Sequence, residues 1–256
     1  MCLVTFIKGG HPDYPLIFLA NRDEEYNRPT APLHRWIDEP TVTGGMDLKE
    51  YGTWLGYTNN GRFIAVLNHP FTEWEPKASP RSRGQLLRDY LTSDISIEDF
   101  KTYLQEHRKD YHGFHLLFGT VDDLRYYSNV KDVFTTYDSG VHSLSNTMDD
   151  LSGHRKNRST NLLEEYVKQT DALKLEELTA ILADKQVAET MEDYPKVLDF
   201  QTAKTSSSIF IEGEDFGTVG STAILLDHDG NISVREVKYN REEVTEITTK
   251  EQQLTI

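Results

Sequence analysis

The sequence predicts an α+β fold, in which blocks of antiparallel strands alternate with pairs of helices. Strand-like runs separated by turn signals cluster before residue 70, again from 114 to 146, and near the end of the chain. Between these blocks, apolar residues recur at helical spacing. Because every sheet and helix has an apolar face to bury, we expect sheets packed together with helices outside, as in a four-layer αββα sandwich.

The first strand block contains hairpin signals. Leu3–Ile7 and Pro15–Ala20 are strand-like apolar runs, and the turn-rich segment Gly9–Asp13 joins them. Asn59-Asn60-Gly61 marks a second hairpin turn, and Gly44-Gly45 marks another. A hairpin returns the end of its second strand to the start of its first. We therefore expect the residues after Ala20 to lie near the N-terminus of the chain.

Two pairs of helices separate the strand blocks. Apolar residues share one face of the second predicted helix. Ser96, just before this helix, and Asp99, in its first turn, resemble a capping box. The segments 70–83 and 184–206 have the loosest patterns. The helices are predicted at 84–92, 97–107, 159–168 and 175–183, and the closing strands at Ser207–Ile211, Ala223–Leu226 and Ile232–Val237.

The length and composition of the chain are typical of a protein of enzyme size. With 256 residues, 37% of them hydrophobic, the chain is long enough for a large core, and we predict one domain over residues 1–256. The 27 basic and 42 acidic residues give a net charge of −15, which argues against nucleic acid or an anionic membrane surface as a partner. The basic stretches 81–83 and 154–158 could dock a small phosphate or carboxylate, but we expect each to be a solvated helix start.

The lone cysteine and the hydropathy of the chain bear on location. One cysteine excludes an internal disulfide and fits a reducing compartment. No apolar run approaches the roughly 20 residues that span a bilayer, and the N-terminus lacks a basic segment followed by a long apolar stretch. We therefore predict a cytoplasmic protein without an integral membrane segment. Its oligomeric state is not indicated.

Cys2 follows Met1 directly and precedes the first strand. If Met1 is removed, Cys2 combines a free α-amine, which titrates near ~7.7–8.0 in model compounds, with a thiol, which titrates near ~8.5. One residue would then offer both a base and a soft nucleophile. The alternative is a buried thiol that packs as a small hydrophobe. Position alone leaves both interpretations open.

Four polar residues, Asn21-Arg22-Asp23-Glu24, follow the second strand. The predicted hairpin makes Asp23 a neighbour of Cys2, where its carboxylate could hold an ammonium group. The guanidinium of Arg22 could stabilise a thiolate or bind a substrate carboxylate through its planar fork. The alternative is a solvated turn, which is the usual place for such charged runs.

Further motifs accompany the N-terminal Met-Cys and this four-residue run. They follow one another along nearly the whole chain: Arg28-Pro29-Thr30, Gly52-Thr53-Trp54-Leu55-Gly56, Phe63–Asn68, Ser82-Arg83-Gly84, Leu144-Ser145-Asn146, Phe216-Gly217-Thr218 and Ser221-Thr222.

In kind and order, these motifs resemble the NRDE family, also called the transport and Golgi organisation protein 2 family. The resemblance implies an N-terminal-nucleophile hydrolase-like fold, related to cysteine amidases and acyltransferases such as penicillin V acylase. It does not fix an activity, since the family has been tied to lipid and haem handling. Where the family reads Gly-Thr-Arg-Ser-Ser-Thr, this chain has Val219 and Gly220 in place of Arg-Ser.

The resemblance implies acyl transfer from an amide or thioester of a small acyl compound. The Cys2 thiolate would attack the carbonyl while its amine carries protons, and Asp23 would orient the ammonium. Asn68 and Asn146 would donate N–H groups to the oxyanion, and Arg22 would supply positive potential. On position alone, the two asparagines could equally be turn formers at strand ends.

Substrate contacts are predicted for four residues, Asn21, Glu24, Trp54 and His69. No cofactor is required by this mechanism, and no metal site is predicted, because none of the nine histidines has a zinc-ligand spacing. The alternative function is a non-catalytic carrier that uses the same cleft for haem or an acyl-coenzyme A. In that case, Cys2 or His69 could ligate haem.

Overall fold

A computed structural model describes residues 2–69, 73–146, 153–170, 172–190 and 198–255. The chain divides into two compact units, one made of residues 1–27 and 138–252 and the other of residues 28–137 and 253–256. Each unit contains one antiparallel sheet with helices. The predicted α+β class is confirmed, whereas the single domain over residues 1–256 stays a prediction.

The secondary structure of the described residues is numbered in chain order. The strands are β1 (Leu3–Lys8), β2 (Leu16–Glu25), β3 (Thr30–Arg35), β4 (Val42–Asp47), β5 (Leu55–Thr58), β6 (Phe63–Asn68), β7 (Phe114–Gly119), β8 (Leu124–Ser128), β9 (Val133–Thr136), β10 (Gly140–Ser145), β11 (Phe216–Leu226), β12 (Asn231–Asn240) and β13 (Glu243–Gln253). The helices are α1 (Arg83–Leu91), α2 (Ile97–Glu106), α3 (Gly153–Gln169), α4 (Leu175–Leu182) and α5 (Phe200–Thr205).

The first unit is built on a six-stranded sheet in the order β10-β1-β2-β11-β12-β13. Strands β1 and β2 pair antiparallel, which confirms the predicted hairpin. Strand β1 lies between β2 and β10, so that Leu3 is directly opposite both Asn21 and Ser145. The N-terminal strand is thus held on both sides, and its first residue has a fixed position in the sheet.

Side chains alternate between the two faces of this sheet, as the period of a strand requires. One face is covered by α3 and α4, and there Leu3, Leu19 and Ala223 pack in a buried cluster with residues of these helices. On the opposite face, the Phe6 ring stacks against Phe18 at 6.3 Å between centroids. Within β1 and β2, odd-numbered residues therefore face the helices and even-numbered residues face away.

The second unit is built on a seven-stranded antiparallel sheet in which β3 to β9 follow one another in chain order. Helices α1 and α2 supply Leu87, Tyr90 and Phe100 to a buried cluster that includes Phe114 and Phe118 of the sheet. Ser82 caps α1, because its hydroxyl accepts the backbone N–H of Gln85. This core keeps β6 and β7 in place.

Local turn and capping predictions are confirmed. Ser96 accepts the backbone N–H of Asp99 at 3.1 Å, and its hydroxyl donates to the Asp99 carboxylate at 2.7 Å. The turn at 59–61 joins β5 to β6, with Gly61 at φ 77°, a conformation that glycine adopts without steric cost. Both features depend on neighbouring residues, which is why the sequence predicts them.

Two predicted features were wrong, and strand β13 was missed. Ser207–Ile211 is not a strand, because the hydroxyl of Ser207 bonds back to the Lys204 carbonyl at the end of α5. Gly44 and Gly45 lie inside β4 rather than at a turn; at Gly44, a Cβ would lie 2.8 Å from the Leu55 carbonyl oxygen. Strand β13 was not predicted, because its largely exposed residues lack an apolar alternation. Part of the loose segments, 70–72 and 191–197, lies outside the described residues.

One ion pair on α3 predicts a measurable pH effect. Arg158 binds Asp184 through two hydrogen bonds of 2.6 and 2.5 Å, and this contact lowers the pKa of the Asp184 carboxyl. The pair therefore stabilises the fold above the unfolded-state pKa of ~3.9, and this stabilisation is lost as the pH falls through the lower folded-state value. We expect Asp184→Asn to cost about 1 kcal/mol or less at pH 7 in urea unfolding and less at pH 3. An equal cost at both pH values would contradict this prediction.

Candidate functional site

Cys2, Arg22 and Asn146 form one row across three strands of the first unit. Leu3 is opposite Asn21 on one side and Ser145 on the other. Continuing the same register by one residue places Cys2 between Arg22 and Asn146. Residues directly opposite in antiparallel strands project from the same face. Strand alternation puts Arg22 on the sheet face that points away from α3 and α4, and the extended register places Cys2 and Asn146 beside it, one residue beyond β1 and β10.

The nitrogen of Cys2 donates a hydrogen bond to the side-chain oxygen of Asn146. Asn146 is 1% exposed, whereas Cys2 is partly exposed. The sequence predicted that Asn146 donates to an oxyanion, and that role stays a prediction. The structure adds a second role, in which the amide oxygen orients the nitrogen that becomes the α-amine when Met1 is removed.

The run 21–24 lies inside β2, not at a strand end, because pairing with β11 continues to Glu25 opposite Phe216. Strand alternation divides the run between the two faces. Arg22 and Glu24 share the face of Cys2, and their charged groups are 3.5 Å apart. Glu24 also accepts the backbone N–H of Glu25 at 3.1 Å. The interpretation as a solvated turn was wrong, since Arg22 is only 8% exposed.

Asp23 lies on the helix-covered face and is held there by two side chains. Arg155 donates to one carboxylate oxygen at 2.6 Å, and the Thr218 hydroxyl donates to the other at 2.6 Å. The side chain of Asp23 is 0% exposed. That Asp23 orients the Cys2 ammonium stays a prediction. Its contact with Arg155 makes Asp23 the anionic half of a buried ion pair.

Arg155 is a buried residue that the sequence interpretation missed. The stretch 154–158 was expected to be a solvated helix start, but α3 begins at Gly153 and Arg155 is 2% exposed. Its guanidinium also donates to the Ile209 carbonyl at 2.9 Å. A signal did exist: Arg155, Ser159 and Leu163 are spaced four residues apart, and all three are buried on one face of α3.

The side chain of Asn21 is buried and forms three hydrogen bonds inside the protein. Its amide nitrogen donates to the carbonyls of Leu182 and Ile209, each at 2.9 Å, and its oxygen accepts from the Ser221 hydroxyl at 2.6 Å. Asn21 is 2% exposed. This geometry gives Asn21 a cross-linking role on the helix face and does not support its assignment to substrate binding.

Asn68, Trp54 and His69 belong to the second unit. Asn68 ends β6 opposite Phe114. The Trp54 ring lies so close to Gly45 that a Cβ there would be 2.5 Å from it. His69 is 8% exposed, and its ring packs against His115 at 4.3 Å between centroids. The roles predicted for these three residues stay predictions.

The described residues, 2–69, 73–146, 153–170, 172–190 and 198–255, contain neither a metal-ligand cluster nor a membrane-spanning helix. In that part of the chain, no group of three or more histidine, cysteine or acidic side chains could hold a metal ion. None of the helices described there has the length and apolar character needed to cross a membrane.

Solved structures share this fold. An N-acylethanolamine-hydrolyzing acid amidase ortholog from Caenorhabditis elegans superposes with a TM-score of 0.53 at 10% identity, covering 88% of this chain and 92% of that one. The C2A mutant of conjugated bile acid hydrolase from Clostridium perfringens superposes with a TM-score of 0.52 at 14% identity, covering 96% of each chain. The fold is therefore that of the N-terminal-nucleophile hydrolases.

Sequence comparison identifies the family to which the chain belongs. The family model described as Transport and Golgi organisation 2 matches residues 1–241. The Transport and Golgi organization 2 homolog of Mus musculus is 28% identical over 259 residues, which cover 92% of each chain. The chain belongs to the Transport and Golgi organisation 2 family.

Proposed function

We propose that the chain is an N-terminal-cysteine hydrolase or acyltransferase that acts on a non-peptide amide or a thioester of a small acyl compound. The observation that carries the proposal is the hydrogen bond from the Cys2 nitrogen to Asn146, in the same row as Arg22. The proposal requires removal of Met1, which lies outside the described residues.

The proposed reaction has two steps. The α-amine of Cys2 takes the thiol proton, and the thiolate attacks the substrate carbonyl, whose oxygen becomes an oxyanion. When the carbon–nitrogen or carbon–sulfur bond breaks, the leaving group takes the proton from the ammonium and the acyl group stays on Cys2 as a thioester. Water or another acceptor then attacks this thioester, releases the acyl group and restores the thiol.

Each residue of the row has a defined part in this proposal. Asn146 fixes the amine through its side-chain oxygen, so the amine needs no reorientation before it accepts the proton. Arg22 supplies positive potential on the face where the thiolate forms, and Glu24 holds the Arg22 guanidinium at 3.5 Å. Asn68 remains the candidate for a further oxyanion donor.

The solved structures support the fold in which this reaction is proposed, and they do not identify the reaction or the substrate. Both are described as hydrolytic enzymes, one acting on an N-acylethanolamine and the other on a conjugated bile acid. At 10% and 14% identity, these similarities support the fold alone. We include a cytoplasmic location in the proposal, because a lone nucleophilic thiol persists in a reducing compartment.

Intact mass and thiol labelling of the purified, untagged protein test the proposal. We expect the Met1 mass to be absent and one iodoacetamide adduct to form rapidly at pH 7. Cys2 is the only cysteine, so the adduct count needs no mapping. Cys2→Ala should give no adduct and keep the fold. A matched control inserts one alanine between Met1 and Cys2, which keeps the thiol but displaces the amine; we expect labelling at least about tenfold slower.

A retained Met1 or an inert Cys2 would contradict the enzyme proposal. The carrier function would then be tested by titrating haem and an acyl-coenzyme A into the wild-type protein and the Cys2→Ala variant. A carrier that ligates haem through Cys2 would lose affinity in this variant, and one that binds an acyl-coenzyme A would keep it.

A further inference from the structure

We propose that a groove between α3 and α4 is a docking surface for a basic amphipathic helix of a partner protein. The groove runs between residues 162–169 of α3 and 177–184 at α4, and we call it the α3–α4 groove. These two helices cover the face of the first sheet that is opposite to the face of Arg22. The inference therefore concerns a second surface, and it does not depend on the proposed reaction at Cys2.

The groove is the outer seam of two antiparallel helices. The helices bury their other sides against the sheet through Leu163, Leu178 and Leu182. The Tyr166 hydroxyl of α3 accepts the backbone N–H of Lys174, which precedes α4, at 2.9 Å. At the other end, Arg158 of α3 binds Asp184, which follows α4. These contacts hold the two helices together at both ends and thereby fix the width of the groove.

Apolar side chains form the floor of the groove. Leu162 and Tyr166, one turn apart on α3, are partly buried and pack against the core cluster of the first unit, as does Ile181 of α4. Ala180 of α4 is exposed, and its short side chain leaves the space above the floor open. This space measures about 370 Å³. Apolar side chains that enter it would leave water, which is the dominant favourable contribution in most protein–protein association.

The walls of the groove carry an excess of negative charge. Glu165 of α3 and Glu177 of α4 are both exposed. Glu165 accepts a hydrogen bond from the Gln169 amide at 3.1 Å, and among the described residues no cation forms an ion pair with either carboxylate. The third acidic residue, Asp184, is neutralised by Arg158. None of the described residues that line the groove is basic, so two negative charges are left uncompensated.

The charges next to the groove do not cancel this excess. Lys168 pairs with Glu164 at 2.9 Å. Arg235 pairs with Glu176 at 3.2 Å, so both of these neighbouring pairs are neutral. Lys174 is exposed and does not line the groove, and counting it would still leave the balance negative. Because the whole chain carries a net charge of −15, it also attracts a cationic partner at long range.

The shape of the groove favours a helix over a small molecule. Residues 162–169 span roughly 10 Å at about 1.5 Å per residue, which is about two helical turns. The groove is open along this length, since Glu165, Glu177 and Ala180 are exposed, so it does not enclose a small ligand. An amphipathic helix lays apolar anchors one turn apart into such a groove. Lysine or arginine beside these anchors would reach the carboxylates on both walls.

Three peptides of about 14 residues test the docking surface. The first has leucines at i, i+4 and i+7 on one face and lysines on the rest. The second has glutamines in place of the lysines, and the third is a scramble of the first without an apolar face. Binding is measured by fluorescence anisotropy at about 0.15 M salt, where the Debye length is about 8 Å. We expect wild-type protein to bind the first peptide about tenfold more tightly than either of the others.

Two substitutions in the groove test its position. Glu165→Gln/Glu177→Gln should weaken the first peptide about fivefold, because two exposed ion pairs are lost. Glu106→Gln/Glu214→Gln is the matched control: it removes two exposed carboxylates elsewhere and should change the affinity less than twofold. Ala180→Trp should weaken both amphipathic peptides at least about tenfold, because the ring fills the groove. Near-ultraviolet circular dichroism checks that this variant is folded, and the double glutamine variant decides the question if it is not.

Three results would overturn the docking surface. They are equal affinities for the amphipathic and scrambled peptides, an unchanged affinity in the double glutamine variant of the groove, and displacement of the first peptide by an equal concentration of n-hexylammonium. The last result would mean that the groove takes a small organic cation. Cys2→Ala should bind the first peptide as the wild type does, so failure of this inference and failure of the proposed function are read from different experiments.

Discussion

Replacing Arg155 with methionine is expected to destabilise the protein by about 3–5 kcal/mol, because the buried Asp23 carboxylate loses its cation. The two side chains are 2% and 0% exposed, and their ion pair measures 2.6 Å. Urea unfolding at pH 7 measures the loss. Arg158→Met is the matched control on the same helix: its pair with Asp184 is partly exposed, so about 1 kcal/mol or less is expected.

The double variant Asp23→Leu/Arg155→Met separates stability from chemistry. Replacing both charges with apolar groups should recover most of the stability, since neither buried charge is left uncompensated. If Asp23 also orients the Cys2 ammonium, Cys2 in this stable variant should react slowly with iodoacetamide. If Asp23 is only structural, the labelling rate should match the wild type. An Arg155→Met cost no larger than that of Arg158→Met would contradict the structural role.

Asn146→Ala is expected to slow amide turnover by about 10²–10³-fold, because it removes both the acceptor for the Cys2 amine and the predicted oxyanion donor. Alkylation of Cys2 should also slow, by at least about tenfold, since this reaction uses the amine but forms no oxyanion. Turnover is measured with the amide substrate that a screen identifies, and alkylation with iodoacetamide.

Asn146→Asp tests separately the two roles of Asn146, as acceptor for the Cys2 amine and as donor to the oxyanion. Aspartate keeps an acceptor for the amine but has no amide N–H to donate. We therefore expect alkylation of Cys2 to persist while turnover stays low. Equal losses of rate in alkylation and in turnover would mean that the substitution acts only through the Cys2 amine. Unchanged turnover would exclude Asn146 as an oxyanion donor. Asn68→Ala provides the comparison for the second predicted donor.

Local features of the fold could be predicted from the sequence. The hairpin of β1 and β2, the turn before β6 and the cap of α2 each depend on residues a few positions apart. Edge strand β13 could not be predicted from the sequence. Its residues have no strand-like pattern of their own, and they form a strand because they pair with β12. Ser207–Ile211 has strand-like residues, but the end of α5 supplies other hydrogen-bond partners for them.

The candidate site was predicted in part. The sequence indicated Cys2, Arg22 and Asn146, and register places these three in one row. It grouped Asn21 and Asp23 with them, because a run of four polar residues gives no sign of which face each side chain occupies. Strand alternation puts both on the helix face, where Asp23 pairs with Arg155.

The sequence by itself determined the fold class, the family and the identity of the nucleophile candidate, because periodicity, motif order and a single cysteine are properties of the chain. Only the tertiary structure decided which charges are buried and which residues share a row. Arg155 meets Asp23 across 132 positions, and Gly220 meets Arg22 through the pairing of β2 with β11. Such contacts depend on strand register and helix docking, which bring together residues whose local sequence carries no sign of one another.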